Sequence, residues 1–301
     1  MFFTAEELRS QLMTNVLPIR HVLCPMDLSP ISMNALEWAN AVARARSAEL
    51  RMFHVVRLPG VHAGEGLDAS ERDSMMATLR NALNRIDPGN GQVGAAIRQG
   101  DPGGQILQFA RHLPADVIVM GAAGAERSAH PIGSVTAVVV ARSDCSVLIV
   151  PAGGPMNAKP AGLFRQIVCA LDLAPSSVTV MRQALSLGWE THAHVTCVCV
   201  VTEPVPRTSD VERHILAAVP PEAHSWCDIA VLVKPGVPAT EIVTIAEASA
   251  ADLLVIGPPR RWRSTTEAVL AKSLCPVLVT HEARPVPYPP ERDVETGTRR
   301  R

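Results

Sequence analysis

The chain is 301 residues long, with 47% hydrophobic residues, 3% aromatic residues and a formal net charge of −1. This length leaves room for about two domains, whose cores must be built mainly from Ala, Val, Leu and Ile. The near-zero net charge argues against a nucleic-acid-binding protein, because such proteins neutralise phosphates. No apolar run approaches the ~20 residues of a membrane-spanning helix, which argues against a membrane protein.

The N-terminal segment MFFTAEELRSQLMTNVLP predicts a short helical extension over residues 1–17. Thr4 and Glu7 have the T-x-x-E spacing of a capping box, and the early acidic residues do not fit a signal peptide. Seven cysteines without a disulfide-rich pattern are typical of a reducing compartment. We therefore expect a cytoplasmic protein.

Two blocks near the start of the chain recur later at a constant separation. HVLCPMDLSP at 21–30 aligns with QIVCALDLAP at 166–175, a shift of 145 residues. MFHVVRLP at 52–59 aligns with CVCVVTEP at 197–204 at the same shift. The first alignment pairs an aspartate of one block with an aspartate of the other. These matches indicate a tandem duplication.

Two further blocks recur in the same order at smaller separations. GDPGGQILQFARHLPADVIVMG at 100–121 aligns with GVPATEIVTIAEASAADLLVIG at 236–257, a shift of 136 residues. DCSVLIVP at 144–151 aligns with LCPVLVTH at 274–281, a shift of 130 residues. The last decrease, from 136 to 130, means that the second copy has lost six residues between these blocks. It thereby loses the counterpart of the first copy's glycine loop, GAAGAERSAHPIGS.

Short apolar runs alternate with longer amphipathic segments in both copies. The runs predict strands buried on both faces, at 117–120, 147–150, 167–171 and 253–256. The amphipathic segments predict helices, for example at 31–47 and 105–112. This alternation predicts an α/β protein with two tandem doubly wound parallel-sheet domains.

The boundaries of these domains follow from composition. We expect the first domain at 18–152 and the second at 163–281. A linker rich in Gly and Pro lies between them at 153–162. The tail at 282–301 has several prolines and almost no apolar residues, so we expect it to be disordered.

A set of polar and small residues in the first copy falls at strand ends that such a sheet brings together. Ligands bind there because the strand order reverses at that point. Asp27 offers an acceptor for an amine or a ribose hydroxyl, and Gly121 and Gly124 let backbone amides approach a phosphate. Gly133-Ser134 opens the next helix, whose N-terminus favours an anion. Structural interpretations remain open: turn glycines, Ser134 as an N-cap and Asp27 as a cap of the first helix.

These motifs together resemble the universal stress protein family. VLCPMDLS at 22–29 is similar to the opening signature of that family, and the glycine loop is similar to its nucleotide motif, G-x2-G-x9-G-(S/T). The resemblance covers roughly residues 18–152 and 163–281. Here the spacer between Gly124 and Gly133 has eight residues where the family has nine, and Pro131 removes one N–H donor.

The resemblance implies doubly wound domains of the Rossmann-like, adenine-nucleotide-binding type, with an ATP site in the first copy, with or without Mg²⁺. The residues carried over by position are Pro25, Met26, Asp27, Val55, Met120, Gly121, Gly124, Gly133, Ser134 and Val135. The second copy keeps Asp172 but lacks the loop, so it resembles members that do not bind nucleotide. His54 and His130 lie nearby, and we assign no role to either.

The function implied by this resemblance is a nucleotide-dependent stress-response regulator that acts on an unidentified protein partner. Hydrolysis of ATP is expected to be slow at most, because no general base for the γ-phosphate is evident. The last strands of the two copies, 147–150 and 277–279, have edges whose pairing would form an intramolecular pseudo-dimer, with or without a further homodimer. The alternatives are a nucleotide-free interaction scaffold and a binder of another adenine-containing molecule.

Other motifs have weaker support. No GK[ST] follows a glycine run, which excludes a P-loop. THAHVTCVC at 191–199 contains two histidines and two cysteines, but alternate strand positions face opposite sides of a sheet. His192 and His194 would therefore face away from Cys197 and Cys199, and we do not expect zinc.

Overall fold

The computed structural model describes residues 19–57, 68–87, 89, 91–124, 131–152, 164–202, 207–259 and 265–281. The described residues up to 152 form one compact unit, and those from 164 form another. The predicted N-terminal helix, the linker and the tail lie outside the described residues, as do residues 125–130 of the glycine loop.

The described part of the first unit alternates strands and helices along the chain. The strands are β1 (His21–Met26), β2 (Glu49–Val56), β3 (Val93–Gln99), β4 (Val117–Gly121) and β5 (Ser146–Val150). The helices are α1 (Pro30–Arg46), α2 (Ala69–Leu83), α3 (Pro102–His112) and α4 (Ser134–Arg142). The strands are parallel, in the order β3-β2-β1-β4-β5.

The second unit repeats this arrangement. Its strands are β6 (Gln166–Leu171), β7 (His194–Val201), β8 (Asp228–Pro235), β9 (Leu253–Ile256) and β10 (Val277–Val279). Its helices are α5 (Ser176–Gly188), α6 (Thr208–Ala218), α7 (Pro238–Ala248) and α8 (Thr265–Lys272). The parallel order is β8-β7-β6-β9-β10, the same order as in the first unit by position. The predicted doubly wound α/β fold is confirmed.

The predicted strands are buried on both faces, as the apolar runs indicated. All five residues of β4 and of β5 are buried, and so are all four residues of β9. Such strands need helices on both faces of the sheet, which the alternating connections provide. Within the described residues, no helix combines the length and apolarity that crossing a bilayer requires.

Corresponding side chains make the same hydrogen bonds in the two units. The Asp116 carboxylate accepts the backbone amides of Arg20 and His21 at 2.7 and 2.8 Å, which fixes the entry into β1. The Asp252 carboxylate accepts the amides at the entry into β6 in the same way, from Arg165 at 2.7 Å and from the next residue at 3.2 Å. The duplication therefore extends to side-chain hydrogen bonds as well as to the sequence.

A second pair of equivalent hydrogen bonds locates the deletion in the second unit. The Thr136 hydroxyl donates to the Gly121 carbonyl at 2.9 Å, across 15 positions of the chain. The Thr266 hydroxyl donates to the Gly257 carbonyl at 3.1 Å, across 9 positions. The difference, 15 − 9, equals the six residues predicted to be missing from this connection.

Candidate functional site

A cavity of about 540 Å³ lies at the carboxyl ends of β1, β2 and β4. β1 lies between β2 and β4, so the chain crosses over in opposite directions on its two sides, and this reversal opens a crevice. All ten residues carried over from the sequence resemblance line the cavity: Pro25, Met26, Asp27, Val55, Met120, Gly121, Gly124, Gly133, Ser134 and Val135. Segments more than 100 residues apart in the sequence thus meet at one place.

A tight turn after β1 presents Asp27 to the cavity. Its Oδ1 accepts the backbone N–H of Ser29 at 3.0 Å, and Leu28 between them has a left-handed φ of 63°. For a residue with a Cβ this conformation costs about 1–2 kcal/mol, so the surrounding packing must stabilise it. Asp27 is not the cap of α1, because the N-cap is Ser29, whose hydroxyl accepts the Ser32 amide at 3.2 Å.

Two glycines bring the strand β4 and its following loop close to this turn. A Cβ on Gly121 would lie 2.5 Å from Cγ2 of Ile31, at the start of α1. A Cβ on Gly124 would lie 2.6 Å from Oδ2 of Asp27. Real Cβ atoms do not approach so closely, and therefore only glycine allows the loop to approach the turn without displacement.

Gly133 differs from the other two glycines because it has room for a side chain. It is the N-cap of α4, with φ −66° and ψ 150°, and the nearest heavy atom to an added Cβ is 3.5 Å away. Its own N–H donates to the Ala122 carbonyl at 2.8 Å, which holds the end of the loop against β4. Among the described residues no side chain caps α4, and its first turn carries no acidic residue. Ser134 is the first helical residue rather than the N-cap.

Apolar side chains form the wall of the cavity near β2. Phe53 is fully buried and stacks on Phe109 of α3, with ring centroids 4.2 Å apart. Met26 and Met120 are also almost fully buried, at the ends of their strands. This part of the cavity is suited to a flat apolar group, such as a nucleobase.

His54 fixes the end of β2 to the end of β1. Its Nδ1 lies 2.7 Å from the carbonyl oxygen of Met26. A carbonyl oxygen only accepts hydrogen bonds, so Nδ1 is the ring nitrogen that carries the proton in this contact. His54 lines the cavity, while His130 lies outside the described residues.

Sequence reasoning assigned no role to several residues that line the cavity. They are Ser32, Phe53, His54, Val56, Arg57, Pro102, Ile106, Ala123 and Thr136. Most of them lie within three positions of a residue that the sequence had already placed at the site. Pro102 and Ile106 come from α3, and no local sequence signal could have placed that helix at the crevice.

The corresponding crevice of the second unit is built differently. Asp172 again accepts the amide two residues on, from Ala174 at 3.1 Å, but it also accepts the Ser177 hydroxyl at 2.7 Å. Cys199 stands where the first unit has His54. Burial, with a further contribution from the charge of Asp172, raises the pKa of the Cys199 thiol to about 11. This thiol is therefore protonated at neutral pH.

The residues of the histidine–cysteine segment have separate environments. His192 precedes β7 in a left-handed turn, so it does not lie on the strand as expected. His194 pairs with Asp228, with Nδ1 and Oδ2 2.9 Å apart, whereas Cys197 and Cys199 are buried. In the part of the chain that the structure covers, no three metal-binding side chains form a cluster.

Comparison with known proteins assigns this fold and sequence to a family. The sequence model of the universal stress protein family matches residues 18–151 and 163–281. Universal stress protein Sll1654 of Synechocystis is 30% identical over 141 residues, which is 45% of this chain and 88% of that protein. Universal stress protein MJ0531 of Methanocaldococcus jannaschii is 26% identical over 138 residues, 44% of this chain and 81% of that protein.

A solved structure is similar over most of the chain. It is a universal stress protein from Archaeoglobus fulgidus, with a TM-score of 0.69 and 22% identity, covering 89% of this chain and 98% of that one. At this identity the likeness concerns the fold. The family model matches both units, in the order in which the sequence repeats. The chain therefore belongs to the universal stress protein family, as a tandem member with two family domains.

Proposed function

We propose that the first domain binds an adenine nucleotide, ATP foremost, in the cavity at the ends of β1, β2 and β4. The observation that carries the proposal is that all ten predicted contact residues line this single cavity. One end has exposed helix amides and the other has an apolar wall, which is the polarity that a nucleotide requires.

The N-terminus of α4 is the proposed phosphate end. The first amides of a helix have no intrahelical acceptor, and the helix dipole favours an anion there. At α4 the N-cap is a glycine, which has no side chain with which to occupy these amides. Gly124 adds backbone close to the same place, next to Asp27.

The wall near β2 is the proposed nucleoside end. Val55 and Met120 offer apolar surface for the base. Asp27 accepts hydrogen bonds only, so it fits a ribose hydroxyl or an exocyclic amine and not a phosphate. Among the described residues that line the cavity, Asp27 is the one carboxylate. An accompanying Mg²⁺ would therefore be held mainly by the phosphates themselves.

We further propose that the bound nucleotide acts as a regulatory signal and that hydrolysis is slow at most. The phosphates would contact Gly124 and Gly133, the described ends of the glycine loop, and would fix these ends relative to one another. The surface above them would then differ between the free and bound forms, and a protein partner could respond to the difference. The second domain, six residues shorter at this connection, would bind no nucleotide.

Isothermal titration of the intact chain with ATP tests the proposal. We expect one site per chain, with competition by ADP and AMP. A stoichiometry of two would contradict the assignment to the first domain alone. The absence of heat at millimolar ATP would contradict the whole proposal and would favour the nucleotide-free scaffold. Binding of adenosine derivatives without any response to ATP would favour the third hypothesis, a different adenine-containing ligand.

A further inference from the structure

Arg57 brings a permanent positive charge to the cavity. It follows directly after the last residue of β2, is exposed, and lines the cavity together with Val55 and Val56. Its guanidinium is positively charged and presents five N–H donors. Among the described residues that line the cavity, it is the one arginine or lysine.

The positions of Arg57 and of the helix N-terminus are on different sides of the cavity. β2 and β4 flank β1, and neighbouring strands are about 4.8 Å apart, so the ends of β2 and β4 are separated by about 10 Å. Arg57 continues β2, whereas α4 starts after the loop that follows β4. The cavity therefore has a guanidinium at one end and a helix N-terminus at the other.

Between these ends lie the groups that suit a nucleoside. Asp27, at the end of β1, lies in the middle, where its carboxylate accepts from the exocyclic amine or from the ribose hydroxyl that carries no phosphate, and the apolar wall lies beside it. A phosphate bound at α4 leaves Arg57 on the nucleoside side of the same ligand. An anionic group placed there would meet the guanidinium of Arg57, which forms charge-assisted hydrogen bonds with phosphate.

We propose that Arg57 selects an adenosine 5′-nucleotide whose ribose carries a second phosphate group. This inference rests on the proposed nucleotide site of the first domain and names the ligand class more closely. The second copy has Thr202 at the position of Arg57, 145 residues on. The cation thus occurs in the copy that has the helix-end anion site, and its counterpart lacks it.

The test compares AMP with adenosine 3′,5′-bisphosphate and adenosine 2′,5′-bisphosphate by isothermal titration. For the intact wild-type chain we expect one of the bisphosphates to bind about tenfold more tightly than AMP, the effect of one charge-assisted contact. In Arg57→Ala this preference should disappear, so that AMP and both bisphosphates bind with the same affinity. Arg57→Lys should keep part of the preference, because it keeps the charge and loses the planar fork.

Arg98→Ala is the matched control. Arg98 is exposed on β3, directly opposite Val55 of β2 in the strand register, and does not line the cavity. The Arg98→Ala variant should keep the full preference for a bisphosphate over AMP. Increasing salt should reduce this preference in wild type and in the control alike. Melting temperatures of the three variants check that they fold.

The outcomes separate this inference from the function on which it rests. Equal affinity of wild type for AMP and both bisphosphates overturns the role of Arg57 and leaves the nucleotide site intact. Equal loss of the preference in Arg98→Ala and Arg57→Ala also overturns it, because the effect would then be a general field. If no adenine nucleotide binds at all, the proposed function fails and this inference fails with it.

Discussion

Replacement of Gly133 by aspartate should weaken nucleotide binding at least about tenfold without destabilising the fold. The position accepts a side chain, since the nearest heavy atom to an added Cβ is Cα of Ala123 at 3.5 Å. Its φ of −66° is also allowed for every residue. Aspartate is among the best N-cap residues, so the introduced carboxylate would accept the free amides of α4. These are the amides that the proposed phosphate needs.

The Gly133→Asp substitution should stabilise the fold but weaken ATP binding. Removing a glycine from the unfolded chain stabilises a protein by about 0.4–1 kcal/mol, and an aspartate cap adds a few tenths. The melting temperature of Gly133→Asp should therefore rise by about 2–4 °C. A carboxylate about 5 Å from a phosphate charge raises the free energy of the complex by about 0.8–3 kcal/mol. With the amides occupied as well, ATP affinity should fall at least about tenfold.

Gly133→Ala is the control for this prediction. It adds the same Cβ but brings neither charge nor capping oxygen, so its stability should stay within about 1 kcal/mol of wild type and it should still bind ATP. Isothermal titration and thermal unfolding of the two variants provide the measurements. Retention of ATP affinity in Gly133→Asp would contradict phosphate binding at the start of α4. Loss of affinity in both variants would contradict the prediction that the carboxylate, and not the added Cβ, weakens binding.

Two further predictions concern packing and buried thiols. Gly121→Ala should lower the free energy of unfolding by about 1–3 kcal/mol, because the added Cβ would collide with Ile31. Gly257→Ala should change it by less than about 1 kcal/mol, since the nearest atom to a Cβ there is 3.7 Å away. Equal effects of the two substitutions in urea unfolding would contradict this prediction. Burial raises the pKa of three thiols from an ordinary 9.0 to about 11: Cys145, Cys199 and Cys227. Because the unfolded chain ionises these thiols first, their contribution to stability is complete below pH 9 and is lost as the pH rises from 9 to about 11. The urea midpoint of unfolding should decline over this pH range, and it should decline less in Cys199→Ala. The thiols of the native protein should react slowly with iodoacetamide at pH 8. Rapid labelling of these thiols would contradict their burial.

The sequence predicted the architecture because the relevant signals are local or repeated. Apolar runs such as 117–120 and 253–256 are too short for helices and lack polar alternation, so they indicate strands buried on both faces. Because each copy of the repeat contains the same elements, each element is predicted twice. It also identified the missing segment of the second copy, which the two equivalent threonine hydrogen bonds confirm at six residues.

Some local expectations were wrong because neighbouring residues compete for the same role. Ser29 rather than Asp27 caps α1, since the turn at Leu28 directs the Asp27 carboxylate to the backbone N–H of Ser29 and toward Gly124. His192 lies in a turn before β7 and not on it. One-residue differences of this kind depend on backbone conformation, for which the sequence offers only weak preferences.

The two-domain repeat, the alternating parallel fold and the strand ends from which a site could be built are all readable from the amino-acid sequence. Those features follow from internal repetition, hydrophobic periodicity and glycine spacing. Three features of the site became visible in the folded chain: α3 contributes Pro102 and Ile106, Arg57 reaches the cavity, and Gly133 has room for a side chain while Gly124 has none. These properties depend on distances between elements that the chain brings together only when the sheet forms.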